Sequence, residues 1–195
     1  MSETEVRIAQ ESERSSVVAS IVAGFVADPV ARWCWPKAET YLASCSKFVN
    51  AYGGRAFEQG CAWTENAHLG GALWLPPGVG PDEDELEQLI GSTVAEEKQE
   101  YLFSAMEELG SYHPEEPHWF LPVIAVDPAW QGHGIGSQLM EHAVARCDDT
   151  GERAYLESSN PRNISLYARY GFQAVGEVRH GDCPVFTAML RESKS

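Results

Sequence analysis

The 195-residue sequence predicts one α/β (α+β) domain over residues 1–195, a mixed central β-sheet flanked by helices, and three observations carry that expectation. Strand-like and helix-like patterns alternate along the chain instead of segregating, as a sheet with helices packed on it requires. Leu121 to Val126 is a short β-branched, apolar run that passes directly into a glycine-rich turn and then a helical period. The length supports one well-buried core but not two comfortable domains, and 44% hydrophobic residues is ordinary globular composition.

Glu5 to Gln10 alternates polar and apolar residues and reads as the first strand. Glu11 to Ala27 carries Val17, Val18, Ile21, Val22 and Phe25 at helical spacing, and Asp28-Pro29 ends it. Trp33 and Trp35 follow, either as core aromatics or as pocket lining. Glu39 to Glu58 reads as a helix through Tyr41, Cys45, Phe48, Val49 and Tyr52, weakened at Gly53-Gly54. Cys61 to Glu65 and Leu69 to Leu75 form a predicted hairpin, stopped by the Pro- and Gly-rich run Pro76 to Pro81. Residues 82–110 read as one or two amphipathic helices, with Leu86, Leu89 and Ile90, then Tyr101, Leu102 and Met106, on the apolar side. Ala154 to Ser159 is a strand, Asn160 to Gly171 holds a short helix, and Phe172 to Arg179 with Pro184 to Leu190 closes the chain as a strand pair.

The glycine-rich turn carries the chemistry. Gly132, Gly134 and Gly136 leave the backbone free to take unusual dihedrals and to approach a ligand closely. Leu139, Met140, Ala143, Val144 and Cys147 then recur at helical spacing. A helix start behind such a turn offers unpaired N–H groups and the positive end of the helix dipole, which together suit a pyrophosphate. The dinucleotide pattern G-x-G-x-x-G fails in every frame, whereas Q-x-x-G-x-G fits as Gln131-Gly-His-Gly-Ile-Gly136. Downstream, Asn160-Pro-Arg-Asn-Ile-Ser-Leu-Tyr-Ala-Arg-Tyr-Gly-Phe172 combines a capping residue, a Pro at the first helical position and a Gly just past the helix.

These two motifs, in this order and spacing, resemble the acyl-CoA-binding signatures of the GNAT superfamily of N-acetyltransferases. With Pro117 to Leu121 and Leu156 to Asn163 added, the chain is most similar to the branch that includes puromycin N-acetyltransferase. The close resemblance covers His118 to Phe172, the expected acyl-CoA-binding core. It implies a GNAT-like sheet and acetyl-CoA as co-substrate. The CoA pyrophosphate would lie on Gln131, Gly132, His133, Gly134, Ile135, Gly136 and Ser137, and the pantetheine arm against Ile124, Ala125 and Val126. Asn160, Asn163 and Tyr167 would complete the cofactor site. Asn163 stands where the second signature usually has alanine, a departure on a helix that is not expected to touch the chemistry.

The implied reaction is direct attack of a primary amine on a thioester, so one group must take a proton from the amine and another return one to the thiolate. Tyr167 is the implied acid; with an unperturbed pKa near ~10 it is protonated at neutral pH. Glu157, at the end of its strand, is the candidate base, or else a carboxylate that orients substrate. Neutralising a lysine-like amine of pKa ~10.4 at pH 7 costs about 4.6 kcal/mol, whereas an α-amine of pKa ~7.7 costs about 1 kcal/mol. Trp33, His118 and Glu157 are the expected acceptor contacts. The segment 82–110 is read as an insert that either caps the acceptor site or serves a subunit contact in a homodimer. No metal site is expected, because His113, Glu115, Glu116 and His118 match no ligand spacing.

The formal charge of −15, from 14 Lys plus Arg against 29 Asp plus Glu, argues against nucleic acid or an anionic membrane as partner and would attract a cationic small-molecule or peptide amine. Five widely spaced cysteines without C-x-x-C, and an acidic start Met1-Ser-Glu-Thr-Glu without a leader pattern, point to the cytoplasm. Two other readings stay open here: a non-catalytic CoA-binding module of the same fold, and a dinucleotide-dependent oxidoreductase with Glu157 on a ribose hydroxyl.

Overall fold

The computed structural model describes residues 5–193. Met1 to Thr4, most of the start read above for a leader, lie outside the described residues. Seven strands form one sheet in the order β1-β2-β3-β4-β5-β7-β6. These are β1 (Val6–Ile8), β2 (Ala62–Glu65), β3 (Gly70–Leu75), β4 (His118–Val126), β5 (Arg153–Ser158), β6 (Gln173–Val178) and β7 (Phe186–Arg191). The helices are α1 (Arg14–Gly24), α2 (Pro29–Cys34), α3 (Ala38–Gly53), α4 (Arg55–Glu58), α5 (Glu83–Thr93), α6 (Glu96–Gly110), α7 (Ile135–Thr150) and α8 (Ile164–Arg169). The mixed sheet flanked by helices is the architecture the sequence predicts.

Two antiparallel groups make up the sheet, β1 to β4 and β5-β7-β6. They are joined within it by a parallel ladder that pairs His118–Leu121 of β4 with Arg153–Leu156 of β5. The ladder ends at Leu121 because the next residue, Pro122, has no N–H to donate, and the pairing of β4 with β3 is irregular over the same stretch. Beyond that point β4 and β5 diverge. The splay opens the sheet at the very strand that leads into the glycine-rich turn.

Helices cover both faces. A side chain at Gly71 would strike Val17 and Ile21 of α1, whereas its neighbour Gly70 faces Ile135 of α7. Since consecutive strand residues point to opposite faces, α1 and α7 lie on opposite sides of the sheet. Gly53 of α3 sits against Leu73 and Val123, on the α1 side.

Several boundaries differ from the sequence pattern for local reasons. Short 3₁₀ turns flank α1, at Glu11–Glu13 and Phe25–Ala27. The predicted helix over 39–58 divides into α3 and α4 around Gly54. Residues 82–110 form two helices, the second of the two expected forms, with Asp82 as N-cap of α5, its carboxylate accepting from the Glu85 N–H. Asp28 ends one helix and starts another: its Oδ1 accepts from the N–H groups of Val30 and Ala31, and Pro29 occupies the first position of α2. No helix among the described residues is long and apolar enough to cross a membrane.

Candidate active site

A groove of about 550 Å³ runs from the splay between β4 and β5 to the glycine-rich turn. Its floor is the free edge of β4. The Asp127 N–H donates to Leu69 O at 2.8 Å, and backbone groups alternate along a strand, so Ile124 and Val126 direct their N–H groups to the opposite, unpaired edge. The 3₁₀ turn after α1 closes one side, and Gly24 makes that possible, since a Cβ there would lie 2.6 Å from the Ala125 Cβ. At the far end Gly132 and Gly134 take φ of +81° and +87°, which side-chain-bearing residues avoid. Gly134 is also the N-cap of α7 and brings no side chain of its own to the helix start. The first helical bond of α7 runs from the Gln138 N–H to Gly134 O, so the first turn, Ile135 to Ser137, has no carbonyl four residues back. Arg162 and Arg169 also line the groove, local positive charge in an acidic protein. The Tyr170 hydroxyl donates to Ser137 O at 2.7 Å and ties α8 to α7.

A second, narrower cavity of about 110 Å³ lies under the splay on the α1 side. Apolar side chains form most of it, including Trp35, Phe48, Ile90, Leu102, Met106 and Phe186. Among them sits Glu157, whose side chain is 11% exposed. The Tyr52 hydroxyl donates to its Oε2 at 2.6 Å, and the Tyr155 hydroxyl lies 3.4 Å from Oε1. Burial, and then the Glu157 charge, pushes both phenols above their usual range. Asp28 is the other carboxylate that lines this cavity. Its Oδ2 accepts from the Ser159 hydroxyl at 2.6 Å, so all its bonds serve to hold α2 to the end of β5. Burial raises its pKa, and its hydrogen bonds oppose the rise.

Phe25, Asp28, Ile124, Asn163 and Tyr167 line both spaces. Tyr167 is 5% exposed, and burial and then the Asp28 charge raise its pKa, while the Asn163 side chain acts in the opposite direction. A neutral phenol therefore stands where the two spaces meet.

Residues 76–172 match the model of the acetyltransferase (GNAT) family. That stretch belongs to the family. An uncharacterized N-acetyltransferase of Schizosaccharomyces pombe is 30% identical over 84 residues, 42% of this chain and 34% of that protein, so the chain aligns with about a third of that relative's length. A crystal structure from Corynebacterium glutamicum, described as histone acetyltransferase HPA2 and related acetyltransferase, superposes with a TM-score of 0.69 at 24% identity, covering 98% of this chain and 97% of that one. Polyamine N-acetyltransferase of Drosophila melanogaster gives 0.67 at 15% identity over 97% of this chain and 100% of its own. At these identities the likeness is one of fold.

Set on this GNAT fold, most of the residues singled out in the sequence fall together. Ile124, Ala125, Val126, Gln131, Gly132, Gly134, Ile135, Gly136, Ser137, Asn160, Asn163 and Tyr167 all line the groove. Gln131 Nε2 donates to Val126 O at 3.1 Å, fastening the turn to the end of β4. His133 does not line it. Its Nδ1 turns back toward the carbonyls of Trp130 and Gln131, at 3.2 and 3.1 Å.

Two expected acceptor contacts are displaced. Trp33 lies outside the cavity lining, packed beneath the Lys98 ammonium 4.8 Å from its ring centroid. Trp35 takes the place at the wall, its indole donating to Thr93 Oγ1 at 3.0 Å. His118 lines a different, open cavity together with the 77–81 loop, because it begins β4 at the end away from the splay. Asn163 lines the groove with the other expected cofactor residues and also the wall shared with the cavity, beside Tyr167, so its departure from the signature lies closer to the chemistry than expected. Sequence reasoning missed Tyr52 and Asp28, whereas α5 and α6 wall the cavity through Ile90, Leu102 and Met106, one of the two roles expected of segment 82–110. Phe48 and Tyr52, four apart on α3, carried the only available signal, an aromatic stripe that reads equally well as core.

Proposed function

We propose that the protein is an acetyl-CoA-dependent N-acetyltransferase whose acceptor is a small primary amine with an apolar body. The observation that carries this reading is Tyr167, a buried neutral phenol on the wall common to the groove and the cavity. When bound, acetyl-CoA supplies an acetyl thioester. The groove suits it on three counts: positive-φ glycines ahead of a helix start, a free strand edge for an amide-bearing arm, and two arginines. The N–H groups of residues 135–137 would hold the phosphates, and the Ile124 and Val126 edge the pantetheine amides.

The remaining chemistry belongs to side chains. Glu157 takes the ammonium proton of the acceptor, directly or through water, and the bond from Tyr52 holds the carboxylate in place, while the Tyr155 hydroxyl donates to Leu109 O at 3.1 Å. Tyr167 keeps its proton for the departing sulfur. The apolar walls exclude water that would otherwise hydrolyse the thioester. The same walls favour an amine with one charge and an apolar body over a polyamine, although polyamine N-acetyltransferase shares the fold. Resemblance of residues 118–172 to the puromycin N-acetyltransferase branch belongs to the same proposal, without puromycin as substrate. Five buried, free thiols fit a reducing, cytoplasmic setting.

The test is thiol release from acetyl-CoA across a panel of amines graded in pKa and apolar size. Turnover of compact apolar monoamines ahead of polyamines and peptide α-amines is the expected result. Tight CoA binding with no turnover of any amine would make the protein a binding module instead.

A further inference from the structure

We propose that His113 and His118 form a relay that carries the proton collected by Glu157 out of the apolar cavity to a separate, solvent-open one. The proposal rests on the assignment of Glu157 as base made above. His113 Nε2 lies 3.5 Å from Glu157 Oε1, and His113 Nδ1 lies 3.0 Å from His118 Nε2. His118 Nδ1 in turn lies 2.9 Å from the backbone carbonyl of Glu116. Glu157 lines the apolar cavity, whereas both histidines line an open cavity of about 550 Å³ beside the 77–81 loop. The two cavities share no lining residue. The histidines therefore connect two spaces whose linings are separate.

The direction of transfer follows from the hydrogen-bond chain. A carbonyl only accepts, so His118 Nδ1 bears a hydrogen, and neutral His118 presents a bare Nε2. The bond between the rings then requires His113 Nδ1 to donate. Neutral His113 is left with an unprotonated Nε2 aimed at Glu157, a poor partner for a carboxylate and a good one for a carboxylic acid. The ground state thus has a vacancy for one proton at the point where the base would deliver it.

The balance is simple. The acceptor ammonium gives a proton to Glu157 and becomes a neutral amine, and the Glu157 carboxylic acid passes it to His113 Nε2. His113 Nδ1 then releases its own proton to His118 Nε2, and His118 loses one to water in the open cavity. Loss of the His118 Nδ1 proton returns the carboxylate and both rings to their starting charge with each ring in the opposite tautomer, and a flip of each imidazole before the next turnover restores the bare His113 Nε2.

The groups facing His113 come from every neighbouring element: Glu157 and Tyr155 from β5, His118 from β4, and Tyr52 of α3 behind the carboxylate. Glu115 and Glu116 border the open cavity, where the Glu116 carboxylate is 3.1 Å from Arg153. Burial lowers the His118 pKa, the Glu116 carbonyl opposes that shift, and the His113 charge adds to it. A proton that reaches His118 is therefore readily released.

The experiment compares the full-length wild type with His113→Gln and His118→Gln, using a strongly basic aliphatic amine and a fluorinated analogue of the same shape that is neutral at pH 7. His113→Gln should lose about tenfold to a hundredfold in kcat/KM at pH 7 with the basic amine, retain nearly full activity with the neutral analogue, and recover on adding imidazole. His118→Gln should show the same selective loss. In an NMR titration of the imidazoles, Glu157→Gln should change the titration of His118, which the carboxylate reaches only through the His113 ring. Equal losses with both amines, or no loss with either, would overturn the relay. If His113→Gln fails to fold, His118→Gln and the titrations decide the matter alone. Should the wild type acetylate neither amine, the function proposed above fails, while the titrations still report on the relay: independent histidines reject it.

Discussion

The groove and the cavity meet at Tyr167, yet they are built from different material. The groove is largely main chain: a strand edge, two glycines at positive φ and a helix start, most of it within residues 124–137. The cavity is made of side chains contributed by α2, α3, α5, α6, β4, β5, α8 and β7. Backbone geometry at the groove depends on a few glycines and one proline. The cavity wall depends on residues far apart in the chain, many of them on helices outside the sheet, such as Phe48, Ile90, Leu102 and Met106. One half of the site is thus constrained by the fold, and the other is free to be shaped for its acceptor.

Substitutions that damage one half and spare the other put this division to work. The largest effect is expected at the shared wall. Tyr167→Phe should lower turnover about a hundredfold or more while CoA affinity, read by calorimetry, stays near wild type; unchanged turnover would remove the phenol from the reaction. Gly134→Val comes next. A β-branched residue at φ +87° costs about 1–3 kcal/mol, which should appear as roughly a tenfold to hundredfold weaker CoA affinity. Normal affinity would show that the turn does not hold the phosphates.

Met106→Trp acts on the cavity alone. Filling that wall should reduce kcat/KM for the larger apolar amines about tenfold, close to the cost of overpacking a core position, with CoA affinity intact. An equal loss for the smallest amine would separate the cavity from the acceptor. The smallest effect concerns Cys34, which lines the cavity and whose thiol burial pushes up to about 12. Because the thiolate is the reactive form, alkylation by iodoacetamide at pH 8 should be very slow in the native protein and fast in urea. Rapid native labelling would reveal a cavity wall that opens to solvent.

The same division explains what could be read in the sequence. Gln131 to Gly136 and Asn160 to Phe172 sit on one strand–turn–helix and one strand–helix unit, where local dihedral demands leave a local record in glycine, proline and capping residues. Tyr52 and Glu157 come together across 105 residues, and no local pattern marks such a meeting. Trp33 and Trp35 are two residues apart, and only the tertiary packing of α2 decides which of them reaches the cavity. The histidine cluster was visible as composition, but its use depended on where β4 begins. Asn163 was legible as a groove residue from its motif, but its second exposure, to the cavity, depends on how the 3₁₀ turn before α8 is packed and leaves no local mark.

Pro122 has one more consequence. The short ladder from His118 to Leu121 is the seam along which the two antiparallel blocks are sewn together within the sheet, and it stops where the proline removes a stitch. A ligand laid along the unstitched length of β4 would act as a splint across the joint. Occupancy at a hundred times Kd is worth about 2.7 kcal/mol, and hydrogen exchange should register that gain first in the amides of Ile124 and Val126. The residue that opens the sheet thereby makes mechanical soundness depend on the cargo it carries.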